Sequence, residues 1–511
     1  MNNHLRRNRT DILFSLIIVF SVLILVFFVC PFSPHYRYCY ETDSICYRIM
    51  GKGVLEGRVP YRDLFDHKGP VTYLVYALGL LIGGGSSYGI WIVFSLINAL
   101  SFFFLYKVAR LYFNERNAFY GVGLTMLFLF FYKNCLFDSA TKPDHIVLCF
   151  LILSEYIFLK RIKERGATSP ANVFSACDML LLGLLCGGVF FLKMNYCIYY
   201  LAFIGFYFLY QLIHKQFKAF LRSVLPFIGG IVLTCLPFLV YLGYHGALKD
   251  FVDAYITFNA KYAEGSGLCL FIFRSTLERN IIFLVIIQII LAGIAFYLSI
   301  QDKEKNSPAR KQTVVYALLT TLILAFITLP PVFNHILTVL TPLLFIGPCY
   351  LVNYVRNLQR KDTIRIMSSC ISIIFVLCFI LIFLSDIQGT QGAKTSVEEK
   401  VEQYLEYYPD STYLYFDTPC CSYLPEKTDN LPSFKYFYVP PYGGADIATE
   451  QANLVRANIP DILVFLGPEE PNIEEMEDQF LPCGYSLFGY EYSVYYYVRT
   501  EDLIAFEHSQ S

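Results

Sequence analysis

Charge is scarce in this chain: Asp, Glu, Lys and Arg make up 16% of its 511 residues. Soluble domains carry about a quarter, so a wholly soluble globular fold is excluded. Metal-type cysteine spacing is missing as well. Sixteen cysteines are present, but no two have CxxC spacing, and Cys30, Cys186, Cys235 and Cys378 sit inside apolar runs as small hydrophobes. Cys39, Cys46, Cys420, Cys421 and Cys483 fall in segments expected outside the cell, where a disulfide is permitted. A formal net charge of −1 argues neither for nucleic acid nor for a strongly acidic partner. The chain has no internal repeat and no low-complexity tract. The basic start, Met1 to Asp11, leads into an apolar run to Cys30 that is too long for a leader, and Pro31-Phe32-Ser33-Pro34 is a poor cleavage site.

Apolar residues take the place of charge. Hydrophobic residues make up 56% and aromatics 17%, with 41 Tyr and 47 Phe, and the mean hydropathy is +0.49. A bilayer core needs about 20 apolar residues per helix. The runs 12–30, 88–106, 117–133, 145–160, 177–192, 196–213, 223–244, 280–300, 313–329, 335–355 and 366–385 predict about eleven spans on that basis. Alternating sides from an inside start, every inner segment is basic: Arg6, Arg7 and Arg9; Lys107, Arg110 and Arg116; Lys160, Arg161, Lys163 and Arg165; Lys215, Lys218 and Arg222; Lys303 to Lys311; Arg356 to Arg365. The short outer connections hold very little positive charge. This pattern predicts an odd number of spans, with the N-terminus inside and the C-terminus outside.

Two outer segments are long. The first, 31–87, contains a short helix beginning near Asp43 and closed by Gly51, Gly53 and Gly57, then an apolar stretch, Val71 to Ile82, too short to cross comfortably. The second covers about 245–279. From about Ser385 the composition becomes that of a soluble domain, with helices at Val397–Tyr407 and near Ala448–Ala457 and strands at Thr412–Phe416, Ile462–Leu466 and Ser493–Val498. The expected fold class is therefore a polytopic α-helical membrane protein with a small C-terminal α/β extracytoplasmic domain. The expected division is 1–385 for the membrane portion and 386–511 for the soluble one.

The first loop holds the chemistry. Asp43 has two readings: it caps the helix it opens, or it is a general base that takes the proton of an acceptor hydroxyl or amine attacking a sugar C1. A phosphate leaving group departs without protonation, so one base suffices. In Pro60-Tyr61-Arg62-Asp63-Leu64-Phe65-Asp66-His67-Lys68-Gly69-Pro70, Lys68 offers a point charge for a lipid phosphate and Arg62 a second. Anionic headgroups would explain those two cations but not Asp63 and Asp66. A second outer connection, Asp138 to His145, ends on Asp144, which either caps the next helix or joins Asp43 as a second carboxylate. Two such carboxylates raise one pKa or recruit a divalent cation. Lys193 is a snorkelling charge or a phosphate contact, and His335 is an interfacial hydrogen-bonder or a substrate contact.

Asp43, Glu56-Gly57-Arg58-Val59-Pro60-Tyr61-Arg62-Asp63 and Asp66-His67-Lys68-Gly69-Pro70 together resemble the first outer loop of glycosyltransferase family 39. These are polytopic GT-C enzymes that include protein O-mannosyltransferases and the lipid A aminoarabinose transferase. The resemblance continues through Asp144, Lys193-Met194-Asn195, Gly246 to Phe251 and Asn334-His335. It implies Asp43 as catalytic base, Lys68 on the carrier phosphate and Asp144 as the second-loop acid. It also implies a polyprenyl-phosphate-linked sugar as donor, transfer with inversion at C1 to a glycan, lipid or protein acceptor, and a bacterial cytoplasmic-membrane location. It leaves a metal requirement open. The chain departs from the family with Asp43-Ser44 in place of Asp-Glu and Lys68-Gly69-Pro70 in place of Lys-Pro-Pro. The expected substrate-binding set is Lys68, Arg62, Tyr61, Asp63, Asp66, His67, Lys193 and His335. Two other classes compete. A flippase of lipid-linked saccharides predicts charges deep in the spans and related halves; an O-antigen ligase or polymerase would place its large loop late in the chain.

Overall fold

The computed structural model describes residues 2–39, 41–131, 139–165, 172–265, 349, 352, 395–428, 430–440, 445–468, 478–491 and 493–510. In chain order the first helices are α1 (Asn2–Val29), α2 (Thr42–Leu55), α3 (Pro70–Ile82), α4 (Tyr88–Tyr112), α5 (Glu115–Phe131), α6 (Pro143–Arg165) and α7 (Ala176–Phe190). A helical stretch Met194–Ile213 and the helix Phe217–Tyr244 follow. The chain divides into two compact units. One comprises Met1–Cys30, Ile92–Val240 and Ser266–Gln388; the other comprises Pro31–Trp91, Tyr241–Gly265 and Gly389–Ser511.

The first unit is the apolar one. Arg9–Val29, Tyr88–Tyr112, Met194–Ile213 and Phe217–Tyr244 are long and apolar enough to cross a membrane, and α5, α6 and α7 coincide with three further predicted spans. The chain is a multi-pass membrane protein. Leu221, Leu225, Ile228, Val232, Leu236 and Val240 stay exposed along one helix, as side chains that face lipid do. With no hydrophobic drive between helices in lipid, close packing must come from small residues. A Cβ on Gly183 would meet the Phe227 carbonyl oxygen at 2.0 Å, and one on Gly230 would meet that of Leu180 at 2.2 Å. At one end of α1, Asp11 accepts from Tyr106 at 2.8 Å, Lys107 at 3.0 Å and Arg110 at 2.6 Å, tying α1 to α4. Glu155 is buried in α6, and its Oε2 has no hydrogen-bond partner among the described residues. The predicted spans at 280–300, 313–329, 335–355 and 366–385 lie outside the described residues, apart from Cys349 and Val352.

The second unit joins the first long loop to the C-terminal domain. Its four-stranded sheet has the order β1-β2-β4-β3, with β1 Tyr413–Tyr415, β2 Ile462–Leu466, β3 Tyr485–Glu491 and β4 Val494–Arg499. β1 and β2 run parallel and the other pairs antiparallel. Leu414, Val455, Leu463, Tyr485 and Tyr497 form the core between the sheet and the helix Ala445–Arg456. The loop and this domain are stitched together: the Phe65 N–H donates to the Lys435 carbonyl at 2.8 Å, and the Arg48 guanidinium donates to the Pro425 carbonyl.

Two glycines expected to close α2 lie inside it instead. Gly57, at φ +81°, is the one beyond the helix end, in a conformation L side chains rarely adopt. Gly51 is a packing residue: a Cβ there would meet Ala77 N and Tyr76 Cβ, both at 2.8 Å, on α3. Because backbone is in the way, Gly51→Val forces α2 and α3 apart, and such overpacking costs about 1–3 kcal/mol. A lowered thermal unfolding midpoint for Gly51→Val is the expected result; an unchanged midpoint would mean the two helices do not pack this way.

Candidate active site

The start of α2 distinguishes the two readings of Asp43. The N-cap is Glu41, whose carboxylate accepts from Ser44 N at 2.6 Å. Asp43 is the second residue of the first turn, half-buried, where a negative charge also suits the helix dipole. Capping is thus done by a neighbour. The charge of Asp43 is felt at His67, whose proton affinity it raises, and at Tyr47 and Cys420.

Residues 66–68 are held from several sides. The Asp66 side chain is buried and accepts from the Tyr73 hydroxyl at 2.9 Å and the Tyr438 hydroxyl at 2.7 Å. His67 Nδ1 lies 3.3 Å from Oδ1 of that carboxylate, the oxygen that accepts from Tyr438. The Lys68 ammonium donates to His67 Nε2. An acceptor Nε2 leaves the ring proton on Nδ1, the side that faces Asp66, so the imidazole lies between carboxylate and ammonium. Burial works against a charge on Asp66, but His67, the Lys68 ammonium and Tyr438 outweigh it and hold the carboxyl well below its usual range. Burial and the Lys68 charge push His67 down despite the pull of Asp66, which keeps the imidazole neutral. The backbone is fixed as well. The Lys68 carbonyl accepts from Tyr61 at 2.8 Å and Tyr73 at 2.9 Å, and the His67 carbonyl accepts from Asn259 at 2.7 Å.

Lys68 itself is half-buried and stands directly before α3. Gly69 is the N-cap of α3 without a side-chain hydrogen bond, and Pro70 opens the helix. An ammonium beside a helix N-terminus that no side chain caps is a combination that receives anions.

The other predicted loop residues have different partners. Arg62 forms a two-pronged pair with Asp63 at 2.7 and 3.0 Å and donates to the His245 carbonyl at 2.8 Å. Asp63 also accepts from Val59 N at 2.7 Å, and the Arg62 bond, followed by the Val59 one, lowers its pKa against partial burial. Both loop acids therefore have partners of their own. Tyr61 is buried at φ +70°, with its ring against Tyr73 and Phe251. It builds the loop rather than facing outward.

Asp144 and Lys193 belong to the membrane unit. Asp144, second residue of α6, is fully buried; its carboxylate accepts from Lys193 Nζ at 2.8 and 3.1 Å and from the Tyr196 hydroxyl at 2.8 Å. Next to it, the His145 ring pairs with Asn98 at 3.0 Å. His335 and Asp138 lie outside the described residues. Among the described residues no group of three or more His, Cys, Asp or Glu side chains is gathered as a metal site. Cys46, Cys420, Cys421 and Cys483 carry thiols rather than disulfides, and burial pushes those of Cys46 and Cys420 up.

Sequence reasoning missed Tyr73, Asn259, Tyr438 and Tyr196. Each is one of many similar residues, and only the fold brings it to its partner.

Residues 67–244, about a third of the chain, match the family described as Dolichyl-phosphate-mannose-protein mannosyltransferase. The fold is similar to that of ArnT from Cupriavidus metallidurans bound to undecaprenyl phosphate. That likeness has a TM-score of 0.62 at 11% identity, covering 94% of this chain and 97% of ArnT. The chain shares the fold of that membrane protein. ArnT in the apo state gives a TM-score of 0.59 at 11% identity, covering 96% of this chain and 98% of that one. The oligosaccharyltransferase AglB from Archaeoglobus fulgidus gives 0.47 at 12% identity, with 92% and 70% covered. No curated protein matches this chain in sequence.

Proposed function

We propose that this protein is an inverting glycosyltransferase. It moves a sugar from a polyprenyl-phosphate donor to a glycan, lipid or protein acceptor at the outer face of a bacterial cytoplasmic membrane. The observation that carries this reading is the Lys68 ammonium, set by the buried Asp66 and His67 immediately before the open N-terminus of α3. That arrangement suits a phosphate at the edge of an apolar layer. The basic inner segments support the outer placement, and the undecaprenyl phosphate of the ArnT structure supports the class of carrier.

In this reading the acceptor oxygen or nitrogen attacks C1 opposite the phosphate. The C1–O bond to phosphate breaks with its electron pair, and the acceptor's proton passes to Asp43. Lys68 and the α3 N-terminus take up the charge that grows on the leaving phosphate. Asp144 is carried as the second acid, held by Lys193 and Tyr196. A divalent metal remains compatible with the class, and no step here calls on one.

The test is transfer by the purified protein in detergent, using radiolabelled undecaprenyl-phosphate sugars and membrane extracts as acceptor. Incorporation is expected from monophosphate-linked donors, and Lys68→Met is expected to reduce it by about ten- to a hundredfold, the value of a charge-assisted hydrogen bond. Incorporation from diphosphate-linked donors alone would replace this reading with the ligase or polymerase one.

A further inference from the structure

We infer that Tyr438 and His67 are positioning residues for the donor site: Tyr438, from the C-terminal domain, fixes Asp66, Asp66 fixes His67, and His67 aims the Lys68 ammonium. The inference rests on the reading that Lys68 binds the carrier phosphate, and it adds that the C-terminal domain governs this grip.

A free lysine has four rotatable side-chain bonds, and fixing such a chain costs rotamer entropy. Here the ammonium already has an acceptor on one side, His67 Nε2. One of its three protons is thereby committed, and its remaining donors have a defined direction. The acceptor works only if the imidazole ring is held with Nε2 toward Lys68. Two contacts hold it so. Its Nδ1 side faces Asp66 Oδ1 at 3.3 Å, and its ring lies against Phe258 with centroids 5.2 Å apart.

Asp66 in turn needs orienting, since a carboxylate can rotate. Tyr73 takes Oδ2 at 2.9 Å and Tyr438 takes Oδ1 at 2.7 Å, one hydroxyl per oxygen. Tyr438 comes from a segment 372 residues later in the chain. Its neighbourhood is anchored independently through the Phe65–Lys435 backbone bond and the Lys435–Asp250 ion pair at 2.6 Å. A purely structural tyrosine in a domain core would bury its ring and point its hydroxyl at backbone, as Tyr485 does toward Pro460. Tyr438 instead spends its hydroxyl on the carboxylate beneath the lysine.

The experiment measures equilibrium binding of undecaprenyl phosphate to the full-length protein in detergent for Lys68→Met, Tyr438→Phe, His67→Leu and His67→Gln, with a thermal unfolding midpoint for each. Tyr438→Phe and His67→Leu are expected to weaken binding about tenfold, the value of one lost bond to a charged group. His67→Gln, which keeps an acceptor for Lys68 and a donor for Asp66, is expected to restore most of it. In turnover the loss is expected in the donor KM, with the acceptor KM unchanged. If Lys68→Met leaves binding intact, the phosphate reading itself falls, and this inference with it. If Lys68→Met weakens binding while Tyr438→Phe and His67→Leu do not, the positioning roles alone are overturned. Equal loss in His67→Leu and His67→Gln, or a lowered midpoint with unchanged affinity, would likewise reduce these residues to structural ones.

Discussion

Asp43→Asn is expected to lower the rate of sugar transfer at saturating donor by at least about a hundredfold, the lower end of what a positioned general base contributes. The fold should survive it. Glu41, not Asp43, closes the start of α2 through Ser44 N, so the substitution removes only a favourable charge from the first helical turn, worth about 0.3–1 kcal/mol. Donor affinity should also hold, since Lys68 takes its direction from His67 and Asp66. A large loss of kcat with near-parental unfolding and undecaprenyl-phosphate binding is the signature of a base. Near-normal turnover would remove Asp43 from the chemistry. The converse control is Glu41→Ala, for which a stability loss of about 1 kcal/mol is expected as the cap goes, with a much smaller effect on rate.

The second large effect concerns the membrane unit. Asp144→Asn leaves the Lys193 ammonium without the carboxylate that receives it at 2.8 Å, in a place where that side chain is only 17% exposed. Breaking one partner of a buried pair typically costs about 3–5 kcal/mol, because the surviving charge is left uncompensated. Lys193→Met is expected to cost a similar amount, leaving Asp144 with Tyr196. The double variant Asp144→Asn/Lys193→Met should recover much of the loss, since two neutral side chains of similar size no longer carry the desolvation cost. Thermal unfolding of the four proteins in detergent decides the matter. Additive losses in the double variant would mean the two residues do not act as a pair. Transfer assays on the double variant then separate stability from chemistry: a stable but inactive protein supports Asp144 as the second acid, whereas a stable and active one leaves it a structural role.

The two kinds of information were unequally legible in the sequence. Helix positions in the described membrane unit followed from apolar length, because a span in lipid must be a helix long enough to cross it. Three strands were visible as runs of Tyr, Val, Ile and Leu. β3 was not, because its register shifts between Leu487 and Gly489 and its inward residues do not alternate. At the site, Asp43, Asp66, His67 and Lys68 stood out as polar groups in an apolar chain. Their partners did not: Tyr438 is one tyrosine among 41, and nothing local marks the one that reaches Asp66. The role of Glu41 was hidden for a different reason. Glu41, Thr42 and Asp43 all carry side-chain oxygens able to accept at a helix start, and only the backbone angles at residue 41 select among them.

The stitching of an early loop to a late domain has a consequence for biogenesis. Arg48 and Asp66 are translated long before Pro425 and Tyr438, which follow them by 377 and 372 positions. At a ribosome rate of about 5–20 residues per second, the wait is on the order of tens of seconds. Until then a guanidinium and a carboxylate destined for burial lack these partners. If Lys68 binds the carrier phosphate as proposed, the nascent chain is expected to hold a lipid carrier more weakly until the last segment folds.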